Sequence, residues 1–190
     1  MTVIEWAKSK GYKPELSERI DLEVSIPKSE RMIMSFDGLE EFKKLKTFYI
    51  RDSNYDFSKI NFSKLKDLKD VSFANCVNFK SLSFSNNLHL KELRVIECTG
   101  IESLEIEGSS ISILHLSGCT KLESLRIEHL PKKVEYVELA GTKLLKYKVD
   151  GFLKTLENCF VGNNLNRESD LRGTASIMDT GLFDFKTTKI

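Results

Sequence analysis

No apolar run in this 190-residue chain approaches the roughly 20 residues that a membrane-spanning helix needs. The first ten residues carry Glu5, Lys8 and Lys10, so the unbroken apolar stretch of a secretory signal is missing as well. The chain is therefore expected in the cytoplasm, with its four cysteines as free thiols. The one Asn-x-Ser sequon, Asn61-Phe62-Ser63, would go unused there. Charge of one sign is lacking too. The 29 Lys and Arg nearly cancel 28 Asp and Glu, leaving +1. That balance gives no electrostatic argument for nucleic acid or an anionic membrane as a partner.

The signatures of catalysis are equally sparse. The three histidines, His89, His115 and His129, form no His-x-x-x-His pair, and no Cys-x-x-Cys occurs. Zinc is not expected without such close ligand pairs. There is no Gly-x-x-x-x-Gly-Lys loop for phosphate and no Gly-x-Ser-x-Gly elbow for acyl transfer. Asp179-Thr180-Gly181 looks like an aspartic-protease tripeptide, but that chemistry needs two carboxylates sharing a proton, and only one copy exists. The expectation is a chain with no catalytic residue, cofactor or metal.

What the sequence has is a repeat. The skeleton Leu90-x-x-Leu93-x-Val95-x-x-Cys98-x-x-Ile101-x-x-Leu104-x-Ile106 recurs down the chain. The second apolar position of each phrase falls at 71, 82, 93, 104, 114, 125 and 137, in steps of 10 to 12 residues. Phe48 and Ile60 extend the series backward. Leu-x-Leu is a period-two pattern, so each phrase predicts a short strand with one buried face. Stretches holding Gly, Asn, Ser and Thr turn the chain between them. Two units make a coil of about 22 residues, and stacked coils form two parallel sheets around an apolar core. The expected fold is mainly β, an α+β-capped solenoid of half-coils. A pentapeptide solenoid is the rival, because Phe57 and Phe62 lie five residues apart in Asp56 to Leu65, but that step stops at Asp67.

The repeated Leu-x-x-Leu-x-Leu-x-x-(Asn/Cys) phrase over Leu45 to Thr142 resembles the leucine-rich repeat family. It resembles in particular the nested bacterial and phage type called IRREKO, in which one coil holds the strand phrase twice. Phe or Val replaces Leu in several units, and Leu130-Pro131-Lys132-Lys133 lengthens one turn. The resemblance implies a leucine-rich-repeat solenoid over residues 45–145. It also implies a bacterial, phage or effector-like accessory protein, acting in a host cytosol in the latter cases.

Both ends of a solenoid need covering. Residues 1–44 read as an N-terminal cap. Within it Val3 to Lys10 has helical spacing, with Ile4, Ala7 and Tyr12 on one side and Gly11 closing it, and Arg19 to Ile26 alternates like a strand. Residues 146–162 read as a C-terminal capping segment. Residues 163–190 read as a polar tail with an apolar patch at Leu182, Phe183 and Phe185, either flexible or docking.

Cys76, Cys98 and Cys119 are 22 and 21 residues apart, one coil each, so their thiols should stack as buried and inert rungs. Cys159 lies outside that column. Period-two alternation then sorts the two faces. The first sheet should turn out Thr47, Tyr49, Arg51, Asp70, Ser72, Ala74, Glu92, Arg94, Ile96, Ile113, His115, Ser117, Tyr136, Glu138 and Ala140. The second should turn out Lys59, Asn61, Ser63, Ser81, Ser83, Ser85, Ser103, Glu105, Glu107, Ser124, Arg126 and Glu128, a solvated skin. Tyr and Arg are enriched at protein interfaces, and clustered exposed Ile marks contact. Tyr49, Arg51, Arg94, Ile96, Ile113, His115, Tyr136 and Glu138 are therefore the candidate protein-binding face. The expected function is non-catalytic capture of a protein partner, blocking or sequestering it. Two alternatives are a solenoid dock serving a regulatory or enzymatic C-terminal tail, and a surface or fibre protein that binds glycans. Oligomeric state is left open by the sequence.

Overall fold

Strands form where the alternation places them, with one exception. A computed structural model describes residues 1–21, 27–107, 110–129 and 135–144. Its strands in chain order are β1 (Arg19–Asp21), β2 (Thr47–Arg51), β3 (Asp70–Ala74), β4 (Ser81–Phe84), β5 (Glu92–Ile96), β6 (Ser103–Glu107), β7 (Ile113–His115), β8 (Ser124–Glu128) and β9 (Tyr136–Glu138). They make a six-stranded sheet in the order β1-β2-β3-β5-β7-β9 and a three-stranded sheet in the order β4-β6-β8. All pairings are parallel, because every coil brings the chain back in the same direction. The fold is a mainly β solenoid whose coils hold about 22 residues, as between paired Asp70 and Glu92.

In-register stacking builds the core. Phe48, Val71, Leu93, Leu114 and Val137 pair in sequence across the large sheet and are all buried. Leu82 and Leu104 do the same across the small one. The N-terminal half is filled by rings. Phe57 has ring neighbours Phe36 and Phe73 at 4.9 Å, Tyr55 at 5.2 Å, Phe79 at 5.8 Å and Phe48 at 6.2 Å. Edge-to-face packing of this kind adds to the burial of each ring.

The exception is the strand expected around Ile60, which does not exist. Phe57–Lys59 and Phe62–Lys64 are two 3-10 turns instead, closed by Ile60 N–H to Phe57 O at 3.1 Å and Leu65 N–H to Phe62 O at 2.9 Å. Strand alternation that turns Ile60 and Phe62 inward would turn Phe57 out. Two separate turns bury all three. The five-residue step between the Phe-Ser-Lys units is real locally, although it does not propagate. Lys59, Asn61 and Ser63 are accordingly on turns and not on a sheet face.

The small sheet therefore begins at β4. Its backbone is met by a side chain: Ser58 Oγ accepts from the Lys80 and Ser81 N–H groups, each at 3.2 Å. One coil on, the equivalent Glu102 and Ser103 N–H groups go to the Lys80 carbonyl. Asn87 is buried just beyond β4 and donates to the Phe62 and Leu65 carbonyls at 3.1 and 2.8 Å. It ties the end of the two-turn segment to the next coil.

The N-terminal cap opens with α1 (Val3–Ser9). Thr2 Oγ1 accepts from Glu5 N–H while the Glu5 carboxylate accepts from Thr2 N–H, a reciprocal capping box. Val3, Trp6 and Ala7 are buried and Ile4 packs half-buried against the core, whereas Tyr12, expected on one side with Ile4 and Ala7, is exposed, its ring 5.7 Å from Trp6. Gly11 does close the segment, with φ +76°. Of the expected strand from Arg19 to Ile26, the first three residues form β1 and 22–26 lie outside the described residues. A second helix, α2 (Lys28–Ile33), has no counterpart in the periodicity, and Pro27 before it is its one local signal. The capping segment 146–162, the tail 163–190, Cys159 and the Asp179-Thr180-Gly181 tripeptide lie outside the described residues.

Candidate binding face

Three rows of side chains run across the outward side of the large sheet. Register places Thr47, Asp70, Glu92, Ile113 and Tyr136 in one row and Tyr49, Ser72, Arg94, His115 and Glu138 in the next. Arg51, Ala74 and Ile96 form a third. The outward assignment made from the alternation holds for the large sheet: these residues are half-buried or exposed, while their strand neighbours are buried.

The eight candidate residues do not form one patch. Arg94, His115, Tyr136 and Glu138 come together, with Ile96 and Ile113 on the same adjacent strands β5 and β7. The Arg94 guanidinium forms an ion pair with Glu92, which shares its strand and face. The His115 and Tyr136 rings meet edge-on at 5.7 Å. His115 Nε2 is 2.7 Å from Ser117 Oγ. Tyr49 and Arg51 stand apart, because Ser72 and Ala74 on β3 separate them from Arg94 and Ile96. With strands about 4.8 Å apart, that gap is about 10 Å. Tyr49 has its own neighbour, the Arg19 guanidinium 5.5 Å from its ring centroid. Arg19 was missed because β1 belongs to the cap and lies outside the repeat.

The electrostatics of the cluster are local. Partial burial lowers the His115 pKa, Glu138 opposes that, and Arg94 adds to it. The imidazole is therefore held toward its neutral form. Burial raises the Tyr136 pKa and Glu138 raises it further. Glu138 also accepts from the Ala140 N–H at 2.8 Å. A Ser-His pair invites comparison with a hydrolytic triad, whose carboxylate would orient the other ring nitrogen. Here the Glu138 carboxylate is engaged by Ala140 and Tyr136.

The thiol column forms as the spacing requires. Cys76, Cys98 and Cys119 are buried and free. Each points at a main-chain carbonyl: Cys76 at Ala74 O (3.4 Å), Cys98 at Ile96 O (3.5 Å) and Cys119 at Val95 O (3.1 Å). A hydrogen bond with Cys76, then burial, pushes the Cys98 thiol up, and burial pushes Cys119 up to about 11. The same thiol contact lowers Cys76. Among the described residues no group of three His, Cys, Asp or Glu side chains is placed to hold a metal ion.

At the exit of the strands the chain turns through left-handed residues: Asp52, Asn75, Glu97, Gly118 and Gly141 all have φ between +51° and +74°. Four of the five are Asp, Asn or Gly, the residues that tolerate that conformation best, and that recurrence is the signal the sequence carried; Glu97 breaks it. What was not legible is its partner. Arg31 of α2, nearly fully buried, donates from Nε to Arg51 O at 2.9 Å and pairs with Asp52 Oδ2 at 3.2 Å. Asn75 Nδ2 donates to Asp52 Oδ1 at 2.6 Å, and Lys28 lies 3.4 Å from that oxygen.

Burial pushes the Asp52 carboxyl up, but Asn75, Lys28 and Arg31 outweigh it and hold its pKa below the usual value. A depressed carboxyl stabilises the fold above its unfolded pKa of about 3.9 and loses that contribution as pH falls through the folded value. Asp52→Asn should therefore lower the urea midpoint at neutral pH. The gap from the parent chain should close as the pH falls through the folded-state value, below the ordinary carboxyl range. Urea titrations at neutral and acid pH measure it, and a gap that persists in acid would show that Asp52 acts otherwise than by charge.

These features define a β-solenoid with a polar and aromatic cluster on its larger sheet. No protein-family model matches the chain, and no curated protein or solved structure does either.

Proposed function

We propose that the chain is a non-catalytic protein-binding module of leucine-rich-repeat type, which captures a protein partner on the outward face of its six-stranded sheet. The supporting observation is the cluster of Arg94, His115, Tyr136 and Glu138 with Ile96 and Ile113 on adjacent, in-register strands. Arg and Tyr anchors beside apolar groups are the composition of interface hot spots. Backbone ladders hold the strands in place before any partner arrives, which lowers the ordering cost of association. The repeat pattern fits an accessory or effector-like protein of bacterial or phage kind, working in the cytoplasm by blocking or sequestering its target.

The double substitution Arg94→Ala with Tyr136→Ala tests this. Two hot-spot side chains at more than about 1 kcal/mol each predict at least a tenfold loss of partner capture. The comparison is a quantitative pull-down from the native cell, with circular dichroism checking that both proteins are folded. Undiminished capture would place binding elsewhere.

A further inference from the structure

Immediately before the large-sheet strands runs another column, Glu18, Lys46, Lys69, Lys91, Ser112 and Glu135. Each is bonded to the next through the main chain: Lys46 N–H to Glu18 O at 2.7 Å, Lys69 N–H to Lys46 O at 2.8 Å, and Lys91 N–H to Lys69 O at 2.7 Å. Ser112 and Glu135 continue the series, each at 2.8 Å. Three lysines thus occupy consecutive coils about 4.8 Å apart. Like charges stacked side by side in a sheet disfavour one another. Lys69 and Lys91 are exposed, and neither has an ion-pair partner within 4.0 Å among the described residues.

The chain itself shows what this rim takes. The Glu18 carboxylate sits 2.8 Å from Lys46 Nζ, in the field of Lys44 and Lys69 as well. It satisfies the first lysine of the column and leaves the next two open. An apolar group lies three residues before Lys91 in the chain. Leu65 and Asn87 are joined by a hydrogen bond, and the residues that follow them are the exposed Lys66 and Leu88, the latter 52% accessible.

We propose that this rim docks an acidic segment of the protein partner, laid across the coils so that successive carboxylates meet Lys69 and Lys91 while an apolar side chain covers Leu88. The proposal rests on the reading of the adjoining sheet face as the interface and names the chemistry at its edge. A nucleic acid fits less well. Asp67, Asp70 and Glu92 lie among the lysines and oppose an unbroken row of phosphates, whereas a peptide can space its carboxylates to avoid them.

The test titrates the full chain with a short fluorescein-labelled peptide of alternating glutamate and leucine, followed by anisotropy at low and high salt. The peptide is expected to bind the parent chain, more weakly at high salt. Lys69→Glu with Lys91→Glu should weaken binding about tenfold, and Lys69→Gln with Lys91→Gln by less, since exposed pairs are individually weak. Absence of binding, equal binding by both double variants, or tighter binding of a single-stranded oligothymidylate would overturn the proposal. The partner pull-down with the Arg94 and Tyr136 variant is read separately. Loss of capture there with no peptide binding removes the rim and keeps the face. Retained capture beside a lysine-dependent peptide signal removes the face as the site.

Discussion

Gly100→Ala is expected to cost at least about 3 kcal/mol and to leave little folded protein at physiological temperature. A β-carbon on Gly100 would sit 2.0 Å from the Val77 carbonyl oxygen and 3.0 Å from that of Phe79. Both obstacles are main chain of the preceding coil, so no side-chain rotation relieves them. The two coils would have to separate at a point where Glu102 and Ser103 hydrogen-bond to the Lys80 carbonyl. In a solenoid each coil is held by its neighbours alone, so a breach between coils propagates. The measurement is a thermal melt of the purified variant beside the parent chain. An unchanged melting temperature would show that the coils are not packed as closely as the Val77–Gly100 approach implies.

Phe57→Ala should cost about 4 kcal/mol. Phe57 is fully buried and its five ring neighbours come from the cap, from β2 and β3, and from the segments that follow each of these strands. Removing it leaves a ring-sized hole at the junction of cap and solenoid, and rigid aromatic neighbours collapse poorly into such a hole. Phe57→Leu, which keeps most of the volume, should cost clearly less. Urea unfolding of the two variants measures the difference. Equal losses would mean that the ring contacts, rather than the filled volume, hold this junction.

The repeat made much of the fold legible, for a reason visible in particular residues. Leu93 and Val95 alternate with Glu92, Arg94 and Ile96 along β5, and alternation alone fixes which way each points. A step of 22 residues stacks equivalent positions whatever the details of the turns, so Cys76, Cys98 and Cys119 could be placed in one buried column from their numbers. The Ile60 unit failed the same reasoning. Its spacing fits the series, yet Phe57 and Phe62 lie five apart, and burying both rings outweighed the hydrogen bonds of one more strand.

Three things needed the folded chain. The candidate face is divided, because Ser72 and Ala74 fall between Tyr49 with Arg51 and the Arg94 cluster, and only register says which residues are neighbours. The Arg31–Asp52 pair joins residues 21 apart in sequence and depends on where α2 lands, which no periodicity describes. The closeness of Gly100 to Val77 depends on fractions of an ångström between coils. Sequence alone determined the coil length, the inward and outward sets of the strands of the large sheet and the thiol column, because these follow from counting residues at two fixed periods. Tertiary structure decided which outward residues meet, how the cap locks on and where the coils touch, because those depend on packing between segments that the chain brings together only by folding.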